Sequence, residues 1–147
     1  MSVGRICQRE VDLADLTESV QAAAERMHQH TVGALVIVNE AKEPIGIVTD
    51  RDLTVRVLSA GKDHYTTLVG HVMTPDPRTV TEDTPIEWAL GVMRSGSFRR
   101  LPVVDSEGKL VGLLTLDDPG APGLLAEEFT QVGQLLERET PRAAAVV

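Results

Sequence analysis

Two pairs of residues in this chain have the types and the spacing to hold a sugar phosphate: Thr49 with Asp52, and Thr115 with Asp118. Each closes a short apolar run that opens on a glycine, Gly46-Ile47-Val48-Thr49-Asp50-Arg51-Asp52 in one case and Gly112-Leu113-Leu114-Thr115-Leu116-Asp117-Asp118 in the other. A hydroxyl and a carboxylate three residues apart at a strand-to-helix junction sit beside the free N–H groups of a helix start. Together they can take the hydroxyls of a ribose and an anionic phosphate. The same residues also make ordinary helix caps, and one copy of the motif by itself is more often a cap than a site. A second copy in the same context favours the ligand role.

Sliding the chain on itself until Gly46 falls on Gly112 also pairs Ala23 with Ala89, Met27 with Met93, Leu35 with Leu101, Val38 with Val104 and Asp52 with Asp118, with no gap. Two copies of one supersecondary unit explain the pairing. In the first copy the spacing predicts a helix over 17–30, with Val20, Ala23, Ala24 and Met27 on one face. Gly33 follows soon after its end. A continuous apolar run over 34–38 reads as a strand buried on both faces, and 45–48 as its partner. A second helix covers 50–60 and ends at Gly61.

The second copy offers a short strand over 78–81 and then a helix start, where Pro85 suits the first position and Thr84 with Glu87 makes a capping box. Ile86, Ala89, Leu90 and Met93 form its apolar face, and strands over 101–104 and 110–114 flank the turn at 105–108. Residues 62–77 read as a connector with one helical turn near 68–72, and residues 1–9 show no period and receive no element. After Asp118 the prolines at 119 and 122 interrupt any helix, which resumes over 124–138 with Leu125, Phe129, Val132 and Leu136 on one side. The expected domains are a first repeat over 7–62, a connector and second repeat over 63–119, and a C-terminal helix and tail over 120–147.

At 147 residues and 42% hydrophobic content the chain can build one packed core. Its net charge of −8 argues against nonspecific attachment to nucleic acid or an anionic membrane, and a bound phosphate would need locally focused positive groups. Cys7 is the only cysteine, no apolar run approaches the roughly 20 residues of a membrane span, and no secretion signal precedes the first helix. The expectation is a cytoplasmic protein. Aromatics are too few, at 3%, for a base-stacking platform. His28 and His30 diverge on their helix and read as solvated, as do His64 and His71 in the connector, so no metal site is expected. Cys7 has no histidine at a nucleophile's spacing, the adjacent Asp117 and Asp118 diverge, and no enzyme or cofactor is expected.

These residues resemble a tandem cystathionine-β-synthase (CBS) domain pair over about residues 7 to 119. The clearest pieces are 33–38 with 46–52, and Arg99-Arg100-Leu101-Pro102-Val103-Val104-Asp105 with 112–118. The resemblance implies an α/β (α+β) fold of two pseudo-symmetric repeats, each a small sheet with two helices, to which this chain adds a C-terminal helix. It implies a regulatory module that binds an adenine nucleotide (AMP, ADP, ATP or NAD(H)) in the groove between the repeats. On that resemblance Thr49 with Asp52 and Thr115 with Asp118 contact phosphate and ribose, and Arg99 and Arg100 supply the positive charge. Their counterparts Gly33 and Ala34 carry none, so the two grooves are expected to differ. A partner regulated in trans is expected, as is a homodimer formed through Val55 and Leu58 on one side and residues 86–93 on the other. The competing reading is a ligand-free interaction module that works only by dimerising.

Overall fold

Alternation along β2 (Ala34–Val38) decides the architecture. Leu35 and Ile37 enter one core with Val20, Ala23, Met27 and Val48, whereas Ala34 and Val36 enter another with Ile47 and Leu113 from the other half of the chain. A strand with apolar side chains on both faces must be covered on both. In the computed structural model, which describes residues 1–96 and 98–116, helices cover one face and the second sheet covers the other.

The first sheet has the order β1-β2-β3-β4, with β1 at Leu13–Ala14, β3 at Pro44–Thr49 and β4 at Thr74–Pro75. The second has the order β5-β6-β7, at Val80–Thr81, Arg100–Val104 and Leu110–Thr115. The opening strand is parallel to its neighbour in both sheets, and the following hairpin is antiparallel. Helices α1 (Val20–His30) and α4 (Ile86–Gly96) occupy equivalent places in the two repeats. Each lies over its own sheet, in clusters built on Leu35 and Ile37 in one repeat and Leu101 and Val103 in the other. The mixed α/β fold of two repeats expected from the sequence is the one observed.

Several local expectations are corrected. The first helix starts at Val20 rather than at 17, because Thr17 is drawn into a turn by Asp15 and Ser19 takes the cap, accepting from Ala22 N–H at 3.1 Å. The helix expected over 50–60 is α2 (Asp50–Leu53) followed by a π-helical turn (Thr54–Leu58), and Gly61 beyond it has the expected positive φ of 69°. α4 begins at Ile86, one residue after Pro85. The Thr84 hydroxyl accepts from Thr81 N–H at 3.0 Å, and the Ile86 N–H donates to the Met1 carbonyl at 3.0 Å.

That last bond belongs to the largest departure. Residues 1–9, assigned nothing from sequence, form a 3-10 turn at Val3–Arg5 that inserts a fully buried Val3 into the second core beside Val80, Ile86 and Leu101. Gln8 then exchanges two backbone hydrogen bonds of 2.9 Å with Leu113 on β7. The connector does the reciprocal service for the first repeat: α3 (Val69–Val72) enters its core, and Thr74 pairs with Ile47 on β3. Each repeat thus has its sheet edge completed by the segment that leads into the other's opening strand.

This exchange accounts for the two repeated glycines. A Cβ on Gly46 would stand 2.3 Å from Met73 Sδ, and one on Gly112 would stand 2.9 Å from both Cys7 Sγ and the Gln8 carbonyl. The Gln8 backbone cannot yield without losing its bonds to Leu113. Gly112→Ala is therefore expected to lower unfolding free energy by about 1–3 kcal/mol, the usual cost of overpacking, as read by urea denaturation. An unchanged midpoint would contradict the packing described.

Candidate functional site

Where β2 and β6 begin, residues of both sheets line a cleft of about 140 Å³. Val11, Val32, Ala34 and Leu113 give it apolar walls, and Glu10, Asp12, Thr31, Arg100 and Thr115 give it polar ones. A larger hollow of about 300 Å³ lies at the opposite, hairpin end of the sheets between Glu43, Asp76, Thr79 and Val104. Among the described residues neither a motif threonine nor an arginine lines it, so its size does not make it the better candidate.

Arg100 and Thr115 meet by sheet register. They are directly opposite across β6 and β7, which puts both side chains on one face. From there Arg100 crosses to the first repeat: a Cβ on Gly33 would lie 3.0 Å from Arg100 Nη2 and 3.2 Å from Asp50 Oδ2. The absence of a side chain at Gly33 leaves the room in which these opposite charges converge. Arg99, one residue earlier, faces the other way, with Nη2 donating to the Leu116 carbonyl at 3.4 Å. Of the two arginines it is Arg100 that enters the cleft.

Thr49 occupies the equivalent register position in the first repeat, opposite Ala34, and neither it nor Asp52 lines the cleft. They form a capping box. Thr49 Oγ1 accepts from Asp52 N–H at 3.1 Å, Asp52 Oδ2 accepts from Thr49 N–H at 2.9 Å, and Arg56 Nε stands 3.7 Å from Asp52 Oδ1. A carboxylate has about four acceptor positions, so capping leaves capacity for a further donor. Asp118 and the helix expected over 124–138 lie outside the described residues.

Sequence reasoning missed Glu10, Asp12 and Thr31, because the first two fall between the unassigned residues 1–9 and the helix expected over 17–30, and the third lies just past that helix. Thr31 itself closes α1, with φ of 55°, while Val32 N–H returns to the Met27 carbonyl at 3.0 Å. A β-branched residue rarely adopts that backbone. His30 is not simply solvated, since its Nδ1 is hydrogen-bonded to Asp12 Oδ1. His64 similarly bonds Gln21 at 2.7 Å. Burial pushes the Cys7 thiol above its ordinary value, the wrong direction for a nucleophile.

Two sheets of matching topology, two glycine-threonine hairpin strands and a cleft between them are the marks of a known module, and the family model for the CBS domain matches residues 3–59 and 69–118. The chain belongs to the CBS domain family. An uncharacterised protein of Methanopyrus kandleri is 41% identical over 118 residues, covering 80% of this chain and 60% of its own length. Hypoxic response protein 1 of Mycobacterium tuberculosis is 37% identical over 101 residues, covering 69% of this chain and 70% of its own. Among solved structures, CBSX2 in complex with AMP is 27% identical with a TM-score of 0.67, covering 92% of this chain and 98% of that one. The chain thus spans less than two thirds of the Methanopyrus relative, and nearly all of CBSX2. In this CBS pair the cleft lies between the repeats, and among the described residues no helix is long and apolar enough to cross a membrane.

Proposed function

We propose that this CBS pair is a regulatory module that binds an adenine nucleotide in the cleft between its repeats and passes the ligand state to a partner in trans. The observation that carries the reading is the convergence of Arg100 and Thr115 beside the apolar walls of Val11, Val32, Ala34 and Leu113. An arginine fork and a hydroxyl suit a phosphate and a ribose, and the aliphatic walls suit a purine. The AMP held by the related CBSX2 supports the same ligand class. Ligand sites of drug size are usually about 300–1,000 Å³, so a cleft of about 140 Å³ must widen on entry, and the Arg100 side chain over Gly33 is the part placed to move.

Thermal unfolding with millimolar AMP, ADP, ATP and NADH tests the proposal. A ligand that binds only the folded state raises the midpoint by mass action, by an amount equivalent to about 2.7 kcal/mol at a hundred times Kd. No rise with any of the four would leave only a ligand-free interaction module.

The proposed oligomer is a homodimer, on a smaller set of residues than the sequence suggested. Ile86, Ala89, Leu90 and Met93 are spent on the chain's own second core, so of the apolar face expected over 86–93 only Trp88 stays largely exposed. What remains outside is Val55 at 48% exposure, Leu58 at 77% and Trp88 at 68%. Light scattering at micromolar concentration should give a dimer mass, and Leu58→Asp with Trp88→Asp should shift it to monomer. A wild-type monomer would refute the dimer.

A further inference from the structure

We infer that Glu10 and Asp12 make the cleft discriminate by phosphate count, so that its ligand is an adenosine bearing a single phosphate rather than a di- or triphosphate. The inference rests on the nucleotide reading above and concerns which member of the class the same site takes.

Among the described lining residues Arg100 is the one cation, while Glu10 and Asp12 are carboxylates. Asp50 Oδ2 adds a third close to the Arg100 head, at Gly33. One guanidinium and the Thr115 hydroxyl can answer one phosphate. A second and third phosphate bring added negative charge and find acids on the wall instead of a further cation, in a chain whose net charge is already −8.

The backbone that carries the two acids is a strap pinned to both sheets. At one end Gln8 is bonded twice to Leu113 on β7, and at the other the Asp12 carbonyl accepts from Val36 N–H on β2 at 3.0 Å. The Asp12 carboxylate is further held by His30 Nδ1 from the end of α1. Glu10 lies midway along the strap, exposed, and lines the cleft. The strap therefore keeps negative charge beside the cleft, where the outer phosphates of a longer ligand would have to pass or lie.

Calorimetry with AMP, ADP and ATP, free of magnesium and at matched ionic strength, would test this on the wild type, Glu10→Gln, Asp12→Asn and the double variant. The wild type should bind AMP more tightly than ATP by on the order of tenfold, and the double variant should shrink that ratio several-fold. Raising salt to about 0.5 M should shrink it too, because the repulsion is screened. Circular dichroism checks folding, and Glu10→Gln decides alone if the loss of the His30 bond unfolds Asp12→Asn. Equal wild-type affinity for AMP and ATP, or a ratio unchanged in the folded variants, overturns the charge-count inference while leaving the nucleotide site standing. A wild type that binds none of the three overturns both.

Discussion

Deletion of residues 1–8 should abolish cooperative folding of the second repeat, although nothing in that stretch carries a motif. Val3 has no exposed surface and packs among Val80, Ile86, Leu90 and Leu101, with Ile6 and Cys7 against the same cluster. Returning one such side chain to water costs about 1.5–3 kcal/mol. The deletion also strands Thr84 O and Glu82 O, which accept from Val3 and Gly4 at 2.9 Å, the Ile86 N–H, and both Leu113 groups paired with Gln8. Each orphaned backbone group that stays buried costs about 1–3 kcal/mol. Losses on this scale rival the roughly 5–15 kcal/mol that holds a typical domain together. Val3→Asp is the point-mutation version, since it buries an unpaired carboxylate in an aliphatic site. Urea denaturation followed by circular dichroism should show the cooperative transition lost or displaced by several kcal/mol. A truncated chain with a wild-type transition would mean that residues 1–8 do not complete this core.

Arg100→Ala should weaken AMP binding by roughly tenfold to more than a hundredfold, the equivalent of about 1.5–3 kcal/mol for one charge-assisted interaction. Stability should change little, because the Arg100 head reaches across the cleft toward Gly33 and Asp50 rather than into an aliphatic core. Arg99→Ala should do the reverse. Its guanidinium reaches the Leu116 carbonyl within its own repeat, so its loss should lower the unfolding midpoint and leave AMP affinity within about threefold. Asp52→Ala is expected to behave as a cap deletion, costing about 1 kcal/mol of stability, because Thr49 and Asp52 form a capping box and do not line the cleft. Calorimetry and thermal unfolding on the three variants separate these outcomes. Should Arg99→Ala or Asp52→Ala lose AMP while Arg100→Ala keeps it, the nucleotide sits in the other groove.

Both predictions turn on facts that were unequally legible in the sequence. The repeat was fully legible, because a single offset that aligns apolar faces, glycines and threonines is a property of the string itself. The helix read over 17–30, the apolar face of Ile86, Ala89, Leu90 and Met93 in the second repeat and the two hairpins followed from the local pattern of apolar residues, which is set by near neighbours along the chain. So did the double-sided burial of 34–38, since an unbroken apolar run leaves no polar face to show to water. Membership of the CBS family rested on that same local grammar.

What the sequence could not decide is anything settled by the other half of the molecule. Arg99 and Arg100 are adjacent and chemically identical, and only the register of β6 against β7 sends one into the cleft and the other toward Leu116. Residues 1–9 have no period of their own because they form no regular face; they lend a valine and an edge pairing to the sheet of the second repeat, far along the chain, as Val3 does to Val80. Glu10 and Asp12 come to line the cleft only because the strap between Gln8 and Asp12 is tied to both sheets at once. Periodicity reports which side of an element is apolar. Which partner covers that side, and which charges are thereby brought face to face, is fixed by packing between segments far apart in sequence, and for this chain it was the tertiary structure alone that decided it.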